Sequence, residues 1–568
     1  MSGGVDGRCC FWFALAAVGG CGLGGVPAEA AEIDKGVEPI EVKGTFSWPI
    51  RLPDGRLISV HSEGKKFAKE IKDTETIEKA YARYSTDDGS TWSAAQLLFE
   101  FPRSGGKFMQ NAVLSDKDGV LHLFGLHFFS QYGDWRSPVY HVMSRDGGKA
   151  WSRPQNVPFG HPYCGGLNSV IQLRNGRIVL PVGYFGGGSH GWFNNTMALS
   201  DDGGKSWRPS REEPSLDKLS IDEASGIQLK DGRLWLLFRT GGGYLYESIS
   251  PDGDRWPKAT PTRFVSPSAP AGVVRLKDGR LVIAWNNSLK PRHVMNRLVI
   301  AAAISGDEGK TWRGYREIAR ADRNPGMGHG PTYPWLTEAS DGKVLVSYHL
   351  THGVDDEKFL LRLDPDWLEV SEIYDDFSEG IDNWIVKNTD GPEVVDHPDK
   401  PAAKVMRLGK PKIDQPSGAS LNFPFGVRGK LTMRLRVRPG SFHGARICLT
   451  DHFSWPEYVE EGRFGVGIAG NGLLSLDKGE AGFAETGVKL QAGQWYTLGM
   501  AWDCKERNCR LTIDERLLAK LPQLSKAVGL CYLRLVSMAE DIDLAGLEVD
   551  WVKIAVEDGS GNEDREKD

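Results

Sequence analysis

The chain has 568 residues, 40% of them hydrophobic and 25% charged, and a net charge of -6. That composition describes an ordinary soluble globular protein, and the negative balance argues against nucleic acid as the partner. No run of 18 or more apolar residues follows the N-terminus, so no spanning helix is expected.

In chain order, the first feature is an export signal over residues 1–30. Arg8 precedes the apolar stretch Cys10–Val18, and Ala28-Glu29-Ala30 offers a small-x-small cleavage site. Val18-Gly19-Gly20-Cys21 resembles a bacterial lipobox, with Cys21 as the candidate lipid-bearing residue. The mature protein is therefore expected to be secreted or periplasmic. Of the eight cysteines, Cys9, Cys10 and Cys21 lie in the removable segment. Cys504 and Cys509 are close enough in sequence to bridge across a hairpin, which export permits. The spacing fits no common zinc pattern, so no metal site is expected from the cysteines.

Two interleaved repeats follow. STDDGSTW at Ser85–Trp92 recurs as SRDGGKAW, SDDGGKSW and SGDEGKTW, with a shortened SPDGDRW at Ser250–Trp256. Each is a compact turn in which Ser and Asp bond nearby backbone, Gly takes a positive φ, and Trp buries a large aromatic surface. Between them lie short hairpins turning on Asp54-Gly55, Asp118-Gly119, Asn175-Gly176, Asp231-Gly232, Asp278-Gly279 and Asp341-Gly342, spaced 47 to 64 residues apart. A unit of about 55 residues holds four strands, and one such sheet cannot bury both faces alone. Six units over residues 40–370 therefore predict a six-bladed β-propeller. The sixth unit lacks the Trp turn, and ring closure there is expected to use an N-terminal strand.

At Tyr374-Asp375-Asp376-Phe377 both repeats stop, and alternating segments such as Leu431–Pro439 and Gly493–Trp502 take over. Residues 373–557 read as an antiparallel β-sandwich of jelly-roll type. The charged tail 558–568 reads as disordered. The fold class is all-β. The opening DDFSEGIDNW and the strand GQWYTLGMAWD resemble the concanavalin/laminin-G-like domains often attached to secreted carbohydrate enzymes.

The Trp turns resemble the Asp-boxes (BNR repeats) of the sialidase superfamily. The resemblance covers about Phe46–Thr351 and implies an exo-acting glycoside hydrolase that cleaves terminal sialic acid or a related acidic sugar. Asp-boxes sit on the rim of blades and mark fold, so the site is argued separately. In this family, arginines grip the sugar carboxylate, a Tyr polarised by a Glu is the nucleophile, and an Asp is the acid and base. IDEASGIQLKDGRLWLLFRT places Glu223 on the general base and Arg239 on the second arginine of the triad. NRLVIAAAISGDEGKTW places Arg297 on the third, and GHGPTYPWLTEASDGKV places Tyr333 on the nucleophile. The first element departs: Ser47 stands where the family has an arginine, and Arg51 is the candidate substitute. Asp73 is the candidate acid, with Glu70 as runner-up.

An aromatic and histidine rim from His127, Gln131, Trp135, His161 and the Tyr184–Trp192 loop, including His190, is a further candidate for stacking on sugar rings. The implied partner is a glycan; the mechanism needs no organic cofactor and no metal. Two alternatives stay open, both fed by Ser47. One is a non-hydrolytic glycan-binding propeller. The other is a propeller hydrolase or lyase acting on another polysaccharide with histidines moving the proton. The sequence does not set the oligomeric state.

Overall fold

The structure, a computed structural model, describes residues 36–42, 47–63, 77–102, 106–129, 137–162, 164–185, 193–216, 219–289, 297–320, 330–352, 355–386, 391–455 and 462–557. It is all-β, with six antiparallel sheets arranged as a propeller and two larger sheets after them. Blade 1 is built from Pro49–Arg51, Leu57–Glu63, Ile77–Ser85 and Gln96–Pro102, blade 2 from Gly106–Ser115, Leu121–Phe129, Val139–Ser144 and Gln155–Val157, and blade 3 from Cys164–Gly166 with Ile171–Gln172, Ile178–Phe185, Phe193–Ser200 and Arg208–Pro209. Blade 4 runs Ile221–Gln228, Leu234–Thr240, Tyr244–Ser250 and Thr260–Val265, and blade 5 runs Gly272–Arg275, Leu281–Asn286, Val299–Ser305 and Arg313–Arg320. Blade 6 takes three strands, Pro331–Glu338, Val344–His352 and Asp355–Leu363, from its own unit. Its fourth is the N-terminal Val37–Ile40, paired antiparallel with Leu360–Leu363. The expected closure by an N-terminal strand is what the structure shows.

The Trp turns explain why the blades stay stacked. In SGDEGKTW the Ser305 hydroxyl donates to Asp307 (2.8 Å), and Asp307 accepts from the N–H and hydroxyl of Thr311 (2.9 and 2.7 Å). The Trp312 indole N–H donates to Gly309 O (2.9 Å), which fixes the ring. With its polar edge satisfied inside the turn, the indole turns its apolar body to the preceding blade. Trp312 lies 6.1 Å from Trp235 of blade 4, Trp207 meets Phe124 of blade 2 edge-on at 5.4 Å, and Trp151 lies 6.1 Å from Phe99 of blade 1. Blade 6 lacks the turn, and Trp367 of the short 3₁₀ turn Pro365–Glu369 takes its place. It packs into the apolar cluster shared with blade 5, under the Arg316 guanidinium (4.2 Å).

Hairpins close the first strand of each unit and Trp turns close the third, so both lie on one face of the ring. The other face carries the starts of the first strands and the ends of the second. That face is where a site can be built.

After the propeller come an eight-stranded and a seven-stranded antiparallel sheet. Met433, Leu435, Val549 and Val552 of one share a core with Ile447, Leu449, Leu533 and Leu535 of the other, which makes a β-sandwich. The sandwich seats on blade 5. Phe425 stacks on Tyr315 (4.1 Å), Tyr532 donates to Glu317 (2.7 Å), and the Phe453 backbone exchanges hydrogen bonds with Asn287 (2.9 Å) and Leu289 (3.2 Å). The expected Cys504–Cys509 bridge is absent, and both thiols are free and buried. Cys509 stands opposite Trp502 in the ladder, two residues short of Cys504. Such diagonal neighbours lie about 7–8 Å apart, beyond the reach of a disulfide.

Between blades 2 and 3, two fully buried histidines stack at 5.1 Å and share a 2.9 Å contact between His122 Nδ1 and His141 Nε2. Burial, and then the His122 charge, lower His141 to about 3; burial also lowers His122, against the pull of Asp116. An unfolded histidine protonates near its ordinary value while His141 stays neutral, so its contribution to stability is full above that value and is lost as pH falls. The thermal unfolding midpoint should therefore drop on acidification from about pH 7 to about pH 5, with His141 costing about 2 kcal/mol. His141→Phe should flatten that limb; an unchanged slope would refute the assignment.

Candidate active site

Four of the residues picked out from the sequence converge on the face opposite the turns. Glu223 and Tyr333 each sit nine residues before the hairpin glycine of their unit, on the innermost strands of blades 4 and 6. In both strands the ladder slips at that point. Asp222 faces Arg239 but Ser225 faces Leu237, and Thr332 faces His349 but Trp335 faces Ser347. Two residues thus oppose one, a β-bulge, and the first takes a left-handed φ: 42° at Glu223 and 55° at Tyr333. Such backbone is costly for a residue with a Cβ and persists only where its surroundings hold it.

What holds it is a tight polar cluster. The Tyr333 hydroxyl donates to Glu223 Oε1 at 2.6 Å. Arg239 Nη1 donates to Glu223 Oε2 at 2.6 Å and to Tyr333 Oη at 3.0 Å. The Arg297 guanidinium lies 5.2 Å from the Tyr333 ring centroid, and the side chain is only 7% exposed. Burial, and then the Glu223 charge, push the Tyr333 phenol well above its ordinary value. The phenol is therefore neutral at rest, and a 2.6 Å hydrogen bond already points its proton at a carboxylate. Reaction through that oxygen needs proton transfer to Glu223 as the new bond forms.

Arg51 is not part of this cluster. It donates to Gly55 O in the hairpin turn (2.7 Å) and to Glu338 O (3.1 and 3.0 Å), and it pairs with Asp88 of the Trp turn. These partners lie on the turn-bearing face, so Arg51 pins blade 1 to blade 6 and does not replace the arginine missing at Ser47. Ser47 itself is buried, with its N–H and C=O both bonded to the Ser59 hydroxyl (2.8 and 2.9 Å). Asp73 and Glu70 lie outside the described residues, as do Gln131, Trp135, His190 and Trp192. His127 belongs to the second strand of blade 2. His161 and Tyr184 of blade 3 do meet, stacked at 3.4 Å and both bonded to Glu213 (3.0 and 2.7 Å).

The sequence reading missed three site residues. Asp222 is buried beneath Glu223 and accepts its N–H at 2.8 Å. Burial, and then the Glu223 charge, push the Asp222 carboxyl well above the usual carboxylate range. His349 stacks on the Tyr333 ring at 4.9 Å. Ser268 accepts from both Arg239 and Arg297. For His349 a signal existed: it lies seven residues after the hairpin glycine, the place Arg239 holds in blade 4. Among the described residues, no group of three or more His, Cys, Asp or Glu side chains is placed to hold a metal ion. No described helix is long and apolar enough to cross a membrane.

Residues 70–346 match the model of the BNR repeat-like domain. No curated protein matches the chain in sequence. Among solved structures, a protein of unknown function from Dyadobacter fermentans DSM 18053 is 20% identical, with a TM-score of 0.46 over 58% of this chain and 98% of that one. Trypanosoma rangeli sialidase in complex with sialic acid is 14% identical, with a TM-score of 0.44 over 93% and 95%. The NanB sialidase of Streptococcus pneumoniae is 15% identical, with a TM-score of 0.44 over 57% and 69%. The chain is a six-bladed propeller followed by a β-sandwich, and the match to the BNR repeat-like domain falls within the propeller.

Asp222 fits only because blade 3 offers glycine against it. A Cβ at Gly183 would overlap Asp222 Oδ1, and one at Gly166 would lie 2.8 Å from Glu223 Cγ. Gly183→Ala should destabilise the protein by about 1–3 kcal/mol through this overpacking. Gly241→Ala, whose Cβ meets nothing within 4 Å, should change stability by less than about 0.5 kcal/mol. Thermal unfolding of the pair checks this, and equal midpoints would refute the cradle.

Proposed function

We propose that the chain is an exported exo-acting glycoside hydrolase with a tyrosine nucleophile, acting on terminal sialic acid or a related acidic sugar. The observation that carries the reading is the Tyr333–Glu223 hydrogen bond of 2.6 Å, bridged by Arg239 and flanked by Arg297. In the first step the Tyr333 proton passes to Glu223 while the phenol oxygen attacks the anomeric carbon. The bond to the leaving oxygen breaks, and that oxygen takes a proton from an acid, the role assigned to Asp73 by resemblance. Water then attacks the glycosyl-tyrosine, loses its proton to the carboxylate left by the acid, and Tyr333 recovers its proton from Glu223. A phenol suits an anionic substrate because it brings no negative charge to the attack. Arg239 and Arg297 would bind the sugar carboxylate, as planar guanidinium groups do in paired hydrogen bonds.

Ser47 favours a second reading, a glycan-binding propeller without turnover. One charged hydrogen-bond contact is worth about 1.5–3 kcal/mol, so its loss weakens binding of an acidic sugar by about ten- to a hundred-fold. The export signal, the lipobox at Cys21 and a lectin-like role for the sandwich are part of the same proposal.

A fluorogenic sialoside separates the two. Turnover by the wild type, reduced by about a thousand-fold or more in a Tyr333→Phe variant that still unfolds cooperatively above the assay temperature, supports the hydrolase. Turnover that survives the substitution excludes Tyr333 as nucleophile. Binding of sialosides with no sugar released favours the second reading.

A further inference from the structure

The arginines of the site come from different blades, Arg239 from blade 4 and Arg297 from the segment entering the third strand of blade 5. Two buried guanidinium groups in one cluster repel each other, and each has several rotatable bonds. Burial, with the Arg239 charge adding to it against the pull of Tyr333, lowers Arg297 below the usual guanidinium range. Glu223 and Tyr333 hold Arg239 by one η nitrogen, so a set spacing of the pair needs a group that also bonds Arg297.

Besides Tyr333, Ser268 touches both, through two different acceptor atoms. The Ser268 hydroxyl accepts from Arg239 Nε at 3.0 Å. The Ser268 carbonyl accepts from Arg297 Nη2 at 2.7 Å and Nε at 3.3 Å. Ser268 lies in the connection from blade 4 to blade 5 between Pro267 and Pro270, whose rings fix φ. That connection is anchored at both ends: Ser266 N–H donates to Gly243 O (3.0 Å), and Asn168 Nδ2 donates to Ala271 O (3.2 Å). The loop is stiff, and its serine presents two acceptors to two arginines. Held at the Nε edge, each guanidinium keeps η-nitrogen protons that Ser268 does not take. A planar anion can bind across the pair in paired hydrogen bonds.

We infer that Ser268 is the positioning residue of a two-arginine carboxylate clamp, setting Arg239 and Arg297 at the spacing that selects an acidic sugar over its neutral counterpart. This rests on the hydrolase reading for turnover, but not for binding. Ser268→Ala removes the acceptor for Arg239 and leaves the carbonyl that holds Arg297.

The test uses the full chain and two readouts. In turnover of the fluorogenic sialoside, Ser268→Ala should raise KM by about tenfold with kcat within about threefold, and Ser268→Thr should restore KM. In calorimetry, N-acetylneuraminic acid should bind the wild type more tightly than its methyl ester, and Ser268→Ala should cut that preference by about tenfold. A fall in kcat with KM unmoved, or a preference unchanged by the substitution, overturns the proposal. A wild type that turns over no sialoside sinks the hydrolase reading; the calorimetric preference then decides the clamp alone, and equal binding of acid and ester overturns it. Should Ser268→Ala fail to fold, Ser268→Cys, with its weak sulfur acceptor, is read in the same two assays.

Discussion

The propeller depends on one packing contact repeated around the ring, a tryptophan of each unit buried against the blade before it. A four-stranded sheet has two apolar faces, so each blade needs cover on both sides. The Trp turn meets this need because Ser and Asp bond the turn's own backbone and, at Trp92, Trp151, Trp256 and Trp312, a glycine carbonyl takes the indole N–H, leaving the ring as an apolar wedge. Where the sixth unit has no such turn, Trp367 arrives from a 3₁₀ turn and fills the same seam beside Val282, Ala302 and Val346. The chemistry of the turn can change; the wedge is kept.

With the ring held at the turn face, the opposite face is free to carry strain. Glu223 and Tyr333 occupy equivalent positions in alternate blades, both on bulges with left-handed backbone. Each such position costs about 1–3 kcal/mol. The short hydrogen bonds among Tyr333, Glu223 and Arg239 offset that cost and connect blade 4 to blade 6 across the axis. Buried Asp222 adds an acidic group under Glu223, and the glycines of blade 3 give it room. The site is a bridge between blades, so it exists only in the closed ring.

How far this could be read in the sequence follows from the same repeat. The hairpin glycine gives every unit a common origin, and from it Glu223, Arg239 and Tyr333 fall at positions that meet in space. Arg297 was found by its place before the Trp turn. Ser268 escaped because it lies in a connection between units, where the repeat gives no register. Asp222 escaped because its meaning depends on Gly166 and Gly183, neighbours in space and not in sequence. Arg51 misled because a strand's sequence does not say which end of the ring a nearby arginine reaches. Its partners, Gly55, Asp88 and Glu338, place it at the far end. Cys504 and Cys509 misled by proximity, since ladder register and not sequence distance sets the reach of a thiol.

The N-terminal strand of blade 6 makes time a variable in this fold. Among the described residues Val37–Ile40 pairs with Leu360–Leu363 alone, so the first described strand is also among the last to find its partner. During synthesis the early blades can form from local hairpins, while this segment waits for more than half of the chain to emerge. Contacts of such long sequence separation are slow to form, because loop entropy is lost before any contact rewards it. Until then, the outer edge of blade 6 presents unpaired backbone that another chain can pair with. Among the described residues four ladder pairs and the Asp364 N–H to Gly36 O hydrogen bond (2.8 Å) close the seam, so a short segment holds the ring shut.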